Sequence, residues 1–243
     1  MNILTFLGTG NAFAEKARRR SVYLVEASLN YLIDCGPDTM IALQEKNLTL
    51  LDIDVIIISH LHPDHYLALP QFALEDYYVL KRLNPVDVYG PIGLYDKLLE
   101  VTRILYNEEV SNHINKLYRI HEFGENETFE IPKGKITTLP AIHSGNGRMQ
   151  KIFIENFSIG YTGDTAFHKE SFKSLLECDI VITEASSSGF EIPDHTTLQD
   201  LLNADIPKNK EVYLTHYGYS VERDKDLIKA PLYLAYDGLD IEL

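Results

Sequence analysis

Short apolar runs separated by polar turns recur along the whole chain, and they predict strands. The run Val55-Ile56-Ile57-Ile58 is continuous and β-branched, which is typical of a strand buried on both faces. Runs of this kind predict strands at 3–7, 22–26, 31–34, 55–59, 86–89, 136–141, 152–154, 158–162, 180–183 and 212–215.

Helical patterns fall between the later strands, and they cover residues 38–46, 67–83, 93–105 and 171–176. Thr197-Leu198-Gln199-Asp200 has the form of a capping box and predicts a further helix that ends near Ala204. Early strand hairpins followed by strands that alternate with helices indicate an α/β layered fold. We expect a single domain over residues 1–243.

Composition excludes several protein classes. Apolar residues make up 45% and charged residues 24% of the 243 residues, which suffices for a substantial core. No apolar stretch reaches the roughly 18 residues of a membrane span, and residues 1–8 read as a first strand and not as a signal peptide. We therefore expect a cytoplasmic protein without membrane contacts. Cys35 and Cys178 are isolated in apolar contexts, so we expect two buried thiols and no disulfide.

The chain is strongly acidic, with 36 acidic and 22 basic residues and a formal net charge of −14. Such a surface repels polyanions, so general nucleic-acid binding is disfavoured. One basic run, Lys16-Ala17-Arg18-Arg19-Arg20, opposes this trend, and we interpret it as a solvated loop. His113, His121 and His168 have no partner pattern and are expected at the surface.

Potential metal ligands are concentrated in His60-Leu61-His62-Pro63-Asp64-His65, directly after the buried strand that ends at Ser59. The carboxyl end of a strand is the usual position of active-site residues in α/β proteins. Three imidazoles and a carboxylate suit zinc, manganese or iron. The alternative, a surface histidine turn that binds metal weakly, does not account for the placement directly after a buried strand.

This segment alone cannot complete a site for two metals, and three further candidates exist. His143, Asp164 and His216 each follow a predicted apolar strand. Each of them alone is more often a structural polar residue, but together with the histidine segment they form a set. Two metals about 3.5–4 Å apart share a bridging water and convert it into a hydroxide nucleophile at neutral pH. The set therefore indicates hydrolysis, without specifying the substrate.

These segments resemble the metallo-β-lactamase-fold hydrolases, and among them the ribonuclease Z-like branch. The resemblance covers essentially the whole chain. Besides the H-x-H-x-D-H motif it rests on Leu7-Gly8-Thr9-Gly10, Leu32-Ile33-Asp34-Cys35-Gly36, Tyr161-Thr162-Gly163-Asp164-Thr165 and Leu214-Thr215-His216-Tyr217. It implies a four-layer αββα sandwich with two divalent metal ions at one edge, zinc first and manganese or iron as alternatives.

The resemblance also implies a ligand set. By matching position it gives each metal three ligands and one shared aspartate: His60, His62 and His143 on the first metal, Asp64, His65 and His216 on the second, and Asp164 between them. Homodimers are common in this branch, so a homodimer is an implication of the resemblance as well.

A second pair of segments bears on the substrate. Glu184-Ala185-Ser186 and His195-Thr196-Thr197 resemble the Glu-Ala-Thr and His-Ser-Thr segments of the branch, where the histidine assists phosphodiester cleavage. The resemblance implies that Asp64, Glu184 and His195 are catalytic. His195 would contact the scissile phosphate or protonate the leaving oxygen, and Glu184 would orient it. The alternative is that His195 is a loop residue and Thr197 only caps the helix.

Two departures from the branch argue against transfer-RNA maturation. Ribonuclease Z commonly carries a long arm between the ligands that match His143 and Asp164, whereas only 20 residues separate them here. Ala68-Leu69 also replaces the Gly-Leu expected after the histidine motif. We therefore expect a phosphodiesterase whose substrate is a small or cyclic nucleotide or a similar small anionic phosphodiester.

Three alternatives remain open at this stage. The first is a lactonase or thioesterase-type acyl hydrolase on the same fold, against which the His195 segment weighs. The second is ribonuclease Z-like RNA processing, against which the acidic charge and the missing arm weigh. The third is a non-catalytic metal-binding protein, against which the complete ligand set weighs.

Overall fold

The computed structural model describes residues 2–190 and 192–243, and these contain two seven-stranded sheets. The strands of the first sheet are β1 (Ile3–Gly8), β2 (Val22–Glu26), β3 (Asn30–Ile33), β4 (Val55–Ile57), β5 (Val86–Pro91), β6 (Tyr118–Phe123) and β14 (Leu239–Glu242). Their order is β14-β1-β2-β3-β4-β5-β6. β14, β1, β2 and β3 are antiparallel neighbours, and β3 to β6 run parallel.

The second sheet uses the later part of the chain. Its strands are β7 (Thr128–Ile131), β8 (Gly134–Pro140), β9 (Arg148–Ile154), β10 (Phe157–Tyr161), β11 (Ile180–Glu184), β12 (Glu211–Thr215) and β13 (Leu232–Leu234), in the order β13-β12-β11-β10-β9-β8-β7. β7 to β10 form an antiparallel meander, and β10 to β13 run parallel. Both sheets therefore combine a meander with a parallel half.

Helices cover the outer face of each sheet. On the first sheet they are α1 (Thr39–Glu45), α2 (Pro63–Tyr66), α3 (Ala68–Glu75), α4 (Leu94–Leu105) and α5 (Glu108–Leu117), and a π-helical turn, Asp76–Leu80, extends α3. On the second sheet they are α6 (Lys169–Leu175), α7 (Leu198–Leu202) and α8 (Tyr219–Arg223). None of the helices in the described ranges has the length and apolar character of a membrane span.

Three apolar cores hold these layers together. The central core lies between the sheets and combines residues such as Phe6 and Ile57 of the first sheet with Ile152 and Ile182 of the second. A second core packs the first sheet against α1 to α5, and a third packs the second sheet against α6 to α8. The layers therefore run helix, sheet, sheet, helix, which confirms the predicted αββα sandwich.

The ten predicted strands are all present, with bounds that differ by a few residues. The strands β6, β7, β13 and β14 were not predicted, because exposed or half-buried residues interrupt their apolar pattern. The helix predicted over 67–83 ends earlier, since its π-helical turn stops at Lys81 in a left-handed conformation (φ 54°). The predicted capping box of Thr197 and Asp200 is present, but its helix ends at Leu202 and not at Ala204.

The expectation that His113 lies at the surface is wrong. His113 is 10% exposed, and its Nε2 lies 2.7 Å from Asp76 Oδ2, so it is a largely buried partner of the π-helical turn. His168 caps α6, because its Nδ1 accepts from Ser171 N. His121 is partly exposed and pairs with Asp87.

The arginine run is likewise not a solvated loop. Each arginine makes an ion pair with an acid from another part of the chain, at 2.7–2.9 Å: Arg18 with Glu222, Arg19 with Glu45 and Arg20 with Asp38. The Arg18 guanidinium also lies over the Tyr217 ring, 4.3 Å from its centroid. The positive charge of the run is therefore largely compensated within the molecule.

The central core leads to a stability prediction. Ile152→Ala removes a fully buried side chain between the two sheets, and such truncations cost about 2–5 kcal/mol through lost transfer free energy and a residual cavity. The midpoint of urea unfolding should fall accordingly at an unchanged slope. Ile104→Ala is the control, since Ile104 is 74% exposed on α4 and its loss should change stability by about 0.5 kcal/mol or less. Equal effects of both variants would contradict the layered core.

Candidate metal centre

The predicted ligands come together where strands of both sheets end. The H-x-H-x-D-H segment follows β4 and runs into α2, whose first residue is Pro63. His143 follows β8, Asp164 follows β10 and His216 follows β12. The strands before these ends are buried and carry apolar side chains. The loops that follow are the first positions that accommodate polar side chains, so polar residues collect there.

The ligand atoms form two groups. Those of His60, His62 and His143 lie within 4.8 Å of one another, and so do those of Asp64, His65, Asp164 and His216. These are the two triads that the family resemblance implied, with Asp164 in the second group. In the first group His143 Nε2 is 3.0 Å from His62 Nδ1.

Asp164 occupies the middle of the cluster. Its Oδ2 lies 3.1 Å from His216 Nε2, 3.5 Å from His65 Nε2 and 3.8 Å from His60 Nε2. It therefore contacts members of both groups, which is the position that a bridging carboxylate needs.

Each histidine of the cluster uses its second ring nitrogen outside the cluster. The partners are Ser59 Oγ for His60 (3.0 Å), Ser144 Oγ for His62 (3.2 Å), Asp34 Oδ2 for His65 (2.7 Å), the Asp194 carbonyl for His143 (3.0 Å) and Ser186 Oγ for His216 (3.4 Å). Such contacts fix the ring orientation and direct the remaining nitrogen toward the cluster, as in protein metal sites generally.

Unpartnered polar atoms test whether the cluster fits a metal. His60 Nε2, His65 Nε2 and Asp164 Oδ1 are buried and make no hydrogen bond to the residues that the structure describes. Buried polar atoms are rarely left without a partner, because their desolvation is costly. Nitrogen and carboxylate oxygen ligands that converge in this way suit a divalent transition-metal ion.

The pKa shifts of His60 and Asp164 agree with this interpretation, whereas Asp164 raises the pKa of His65 and of His216 although burial alone would lower both. Burial holds the pKa of His60 well below its ordinary value, so its imidazole is neutral at pH 7. Burial alone would raise the pKa of Asp164, but His216 and His65 hold it well below its usual range, so this carboxylate is ionised. Neutral imidazole and ionised carboxylate are the forms that bind metal.

Asp34 is a site residue to which the sequence analysis assigned no role. It is fully buried at the end of β3 and accepts hydrogen bonds from Ser59 N (2.7 Å), Ser59 Oγ (2.8 Å), His65 Nδ1 (2.7 Å) and Tyr161 OH (2.5 Å). A carboxylate directly after an apolar strand is buried and needs such partners. The position of Asp34 after this strand was therefore the signal in the sequence that it has a structural role. Its backbone is left-handed (φ 59°), a conformation that aspartate adopts more readily than most residues.

Glu184 and His195 are in contact beside the cluster. His195 Nδ1 lies 2.9 Å from Glu184 Oε2, and Glu184 is 1% exposed and also accepts from Thr165 N and Ser186 Oγ. Burial alone would lower the pKa of His195, but the hydrogen bond and the charge of Glu184 raise it to about 9. The His195 ring centroid is 5.0 Å from that of His143.

A cavity of about 140 Å³ opens onto this assembly. His62, Asp64, Asp164, His195 and His216 form its polar lining, while Phe13 and Ile192 line it with apolar groups. All residues predicted for the site therefore lie in or directly around one pocket, and none of them is located elsewhere. The arrangement can hold metal and can place His195 against a bound substrate.

The fold has close counterparts among solved structures. YhfI from Bacillus subtilis, a metallo-β-lactamase-fold protein, superposes with a TM-score of 0.79 at 17% identity, over 99% of this chain and 98% of that one. The strand-end ligand cluster and this fold together place the chain among the metallo-β-lactamase-fold proteins.

Sequence comparison narrows the class. The chain belongs to the family described as Anti-Pycsar protein Apyc1, whose model matches residues 2–231. Anti-Pycsar protein Apyc1 of Paenibacillus sp. (strain J14) is 28% identical over 225 residues, which is 90% of either chain. Zinc phosphodiesterase ELAC protein 1 of Mus musculus is 30% identical over 152 residues, 56% of this chain and 42% of its own length. The resemblance to the ribonuclease Z-like branch is thereby confirmed.

The buried position of Asp34 generates a prediction. Asp34→Asn keeps the volume but places an amide NH2 group, which cannot accept a hydrogen bond, where Oδ2 accepts from His65 Nδ1, so His65 loses its fixed orientation. Zinc affinity, measured by competition with a chromogenic chelator, should fall by about 10- to 100-fold.

The matched control is Asp87→Asn, since Asp87 also pairs with a histidine, His121, but outside the cluster. Its zinc affinity should equal that of the unmodified protein. Equal zinc affinity in the Asp34 variant would show that Asp34 has no influence on the ligands.

Proposed function

We propose that the protein is a dinuclear metal-dependent phosphodiesterase whose substrate is a small or cyclic nucleotide or a similar small phosphodiester. The observation that carries the proposal is the Glu184–His195 pair, 2.9 Å apart and adjacent to the ligand cluster. A metal cluster alone is compatible with hydrolysis of many electrophiles, whereas a histidine held beside it supplies a proton for an alkoxide leaving group.

The cluster supports two metal positions. His60, His62 and His143 would hold one ion, and Asp64, His65 and His216 would hold the other, with Asp164 shared; zinc fits this nitrogen and oxygen set, and manganese or iron are alternatives. Divalent ions in such a site supply Lewis acidity toward a phosphoryl oxygen and lower the pKa of water.

The roles of the protein's own residues follow from their contacts. His195 is held through Nδ1, and its Nε2 makes no hydrogen bond within the described residues, so it is available to a substrate in the pocket. It would contact the scissile phosphate or transfer a proton from Nε2 to the leaving oxygen. Glu184 would orient the ring and stabilise its protonated form. Asp64, at the pocket surface, would position the second metal against the same phosphate.

Charge supports a small substrate over RNA. The arginine run beside the pocket loop is compensated by acids. With a net charge of −14, the surface gives a polyanion little long-range attraction. The similarity to a relative named a zinc phosphodiesterase adds support for phosphodiester chemistry.

A substrate panel tests the proposal. Protein reconstituted with zinc or manganese should bind about two metal ions per chain by elemental analysis. It should hydrolyse bis(p-nitrophenyl) phosphate and adenosine 3′,5′-cyclic monophosphate, and a chelator should abolish both activities. Turnover of a lactone or a thioester alone would replace the proposal with an acyl hydrolase. Less than one bound metal per chain would contradict the dinuclear site.

The role of His195 has its own test. His195→Ala should lower kcat for adenosine 3′,5′-cyclic monophosphate by about 100-fold or more, since general acid catalysis contributes about 10²–10⁴-fold. The same variant should lose much less activity toward bis(p-nitrophenyl) phosphate, because p-nitrophenolate leaves without a proton. His121→Ala, a partly exposed histidine outside the pocket, is the control. If cyclic nucleotide turnover stays within a few-fold while His62→Ala abolishes it, the assignment of His195 fails.

A further inference from the structure

Phe13 is exposed although the loop that carries it is well anchored. Its side chain is 80% exposed, whereas the neighbouring Asn11 is 6% exposed. Asn11 holds the turn from inside, because its Oδ1 accepts from Phe13 N at 3.1 Å and its carbonyl accepts from Ala14 N at 3.0 Å. The exposure of the phenyl ring is therefore a property of a folded turn.

Contacts with the strand-end loops fix the same turn. Gly10 forms isolated backbone bridges to Arg20 on one side and to Tyr217 on the other. Glu15 Oε2 accepts from Tyr219 N at 2.5 Å. Tyr217 directly follows the candidate ligand His216, so the turn is tied to the segment that supplies this ligand. The position of Phe13 is consequently coupled to the metal centre.

The phenyl ring faces the pocket of the metal centre. Phe13 lines the same 140 Å³ cavity as His62, Asp64 and His195, and Ile192 adds a second apolar group. The pocket thus combines a polar floor, suited to a phosphate, with an apolar wall. A substrate that fills both parts carries a flat or apolar group close to its phosphodiester.

We propose that Phe13 stacks on the base of a nucleotide substrate, which makes it a specificity-determining residue. The inference rests on the proposed phosphodiesterase function and assigns the contact with the base of its nucleotide substrate to Phe13. Stacking suits this position because every base has a π-face and a single exposed ring can accept it without base-specific hydrogen bonds. The structure therefore assigns affinity for the base to Phe13 and leaves the choice of base open.

Steady-state kinetics with two substrates test the proposal. For adenosine 3′,5′-cyclic monophosphate, Phe13→Ala should raise KM by about 5- to 150-fold, the equivalent of about 1–3 kcal/mol of stacking, with kcat nearly unchanged. For 1-O-methylribose 3′,5′-cyclic phosphate, which has no base, KM should not change. Phe13→Tyr should retain the low KM, and Phe13→Leu should not, because leucine keeps apolar volume but has no ring.

A binding measurement separates stacking from catalysis. The chain contains no tryptophan, so Phe13→Trp introduces a single tryptophan at the pocket, whose fluorescence can be excited selectively over that of the 15 tyrosines. With zinc-loaded protein, a hydrolysis-resistant phosphorothioate analogue of adenosine 3′,5′-cyclic monophosphate should quench its fluorescence, and the base-free compound should not. Tyr78→Trp is the matched control, since Tyr78 is a 60% exposed aromatic residue that does not line this cavity.

The outcomes distinguish the two proposals. Loss of phosphodiester turnover in every assay would overturn the proposed function, whatever the fluorescence shows. Hydrolysis of adenosine 3′,5′-cyclic monophosphate with the same KM in the unmodified and Phe13→Ala proteins would overturn stacking alone. An equal rise of KM for the base-free compound would also overturn stacking, and so would a Phe13→Leu variant with the KM of the unmodified protein. Either result assigns Phe13 a general apolar role.

Discussion

The carboxylate of Asp34 is fully buried and accepts hydrogen bonds from both halves of the molecule. From the first sheet it is contacted by Ser59 and His65, and from the second sheet by the hydroxyl of Tyr161. A buried charge is stable only when its oxygens are fully satisfied, so these donors must stay where they are. The same side chain therefore links the two sheets within the apolar core and orients a candidate ligand.

The candidate metal centre depends on this connection because its candidate ligands come from both sheets. His60 to His65 follow β4, while Asp164 and His216 follow strands of the second sheet, and a shift between the sheets would separate them. His216, like Asp34, has a left-handed backbone (φ 49°). Such conformations cost of order 1 kcal/mol or more and persist where surrounding contacts enforce them. The contacts of His216 with Asp64 and Asp164 are of this kind.

Much of this arrangement could be predicted from the sequence, for identifiable reasons. The interior strands are continuous apolar runs, and the candidate ligands follow directly on them. Both could therefore be recognised from short segments of the sequence. The edge strands β6, β7, β13 and β14 could not be recognised in this way, because they are strands through pairing with a neighbour and not through an apolar pattern of their own. The partners of Asp34 and of His113 lie far away in the chain, and no local signal specifies them. The candidate ligands could therefore be predicted from the sequence, but the residues that orient them could not.

The pairing of β1 with β14 has a consequence for synthesis. Ile3 lies opposite Glu242, so one edge of β1 has no partner until residues 239–242 have left the ribosome. The whole second sheet, from β7 to β13, lies between these two strands in the chain and is synthesised before they can meet. An unpaired strand edge is a template for wrong association. Until residues 239–242 are synthesised, that edge of β1 is therefore open to wrong pairing, although β1 is the first strand of the described chain to be made.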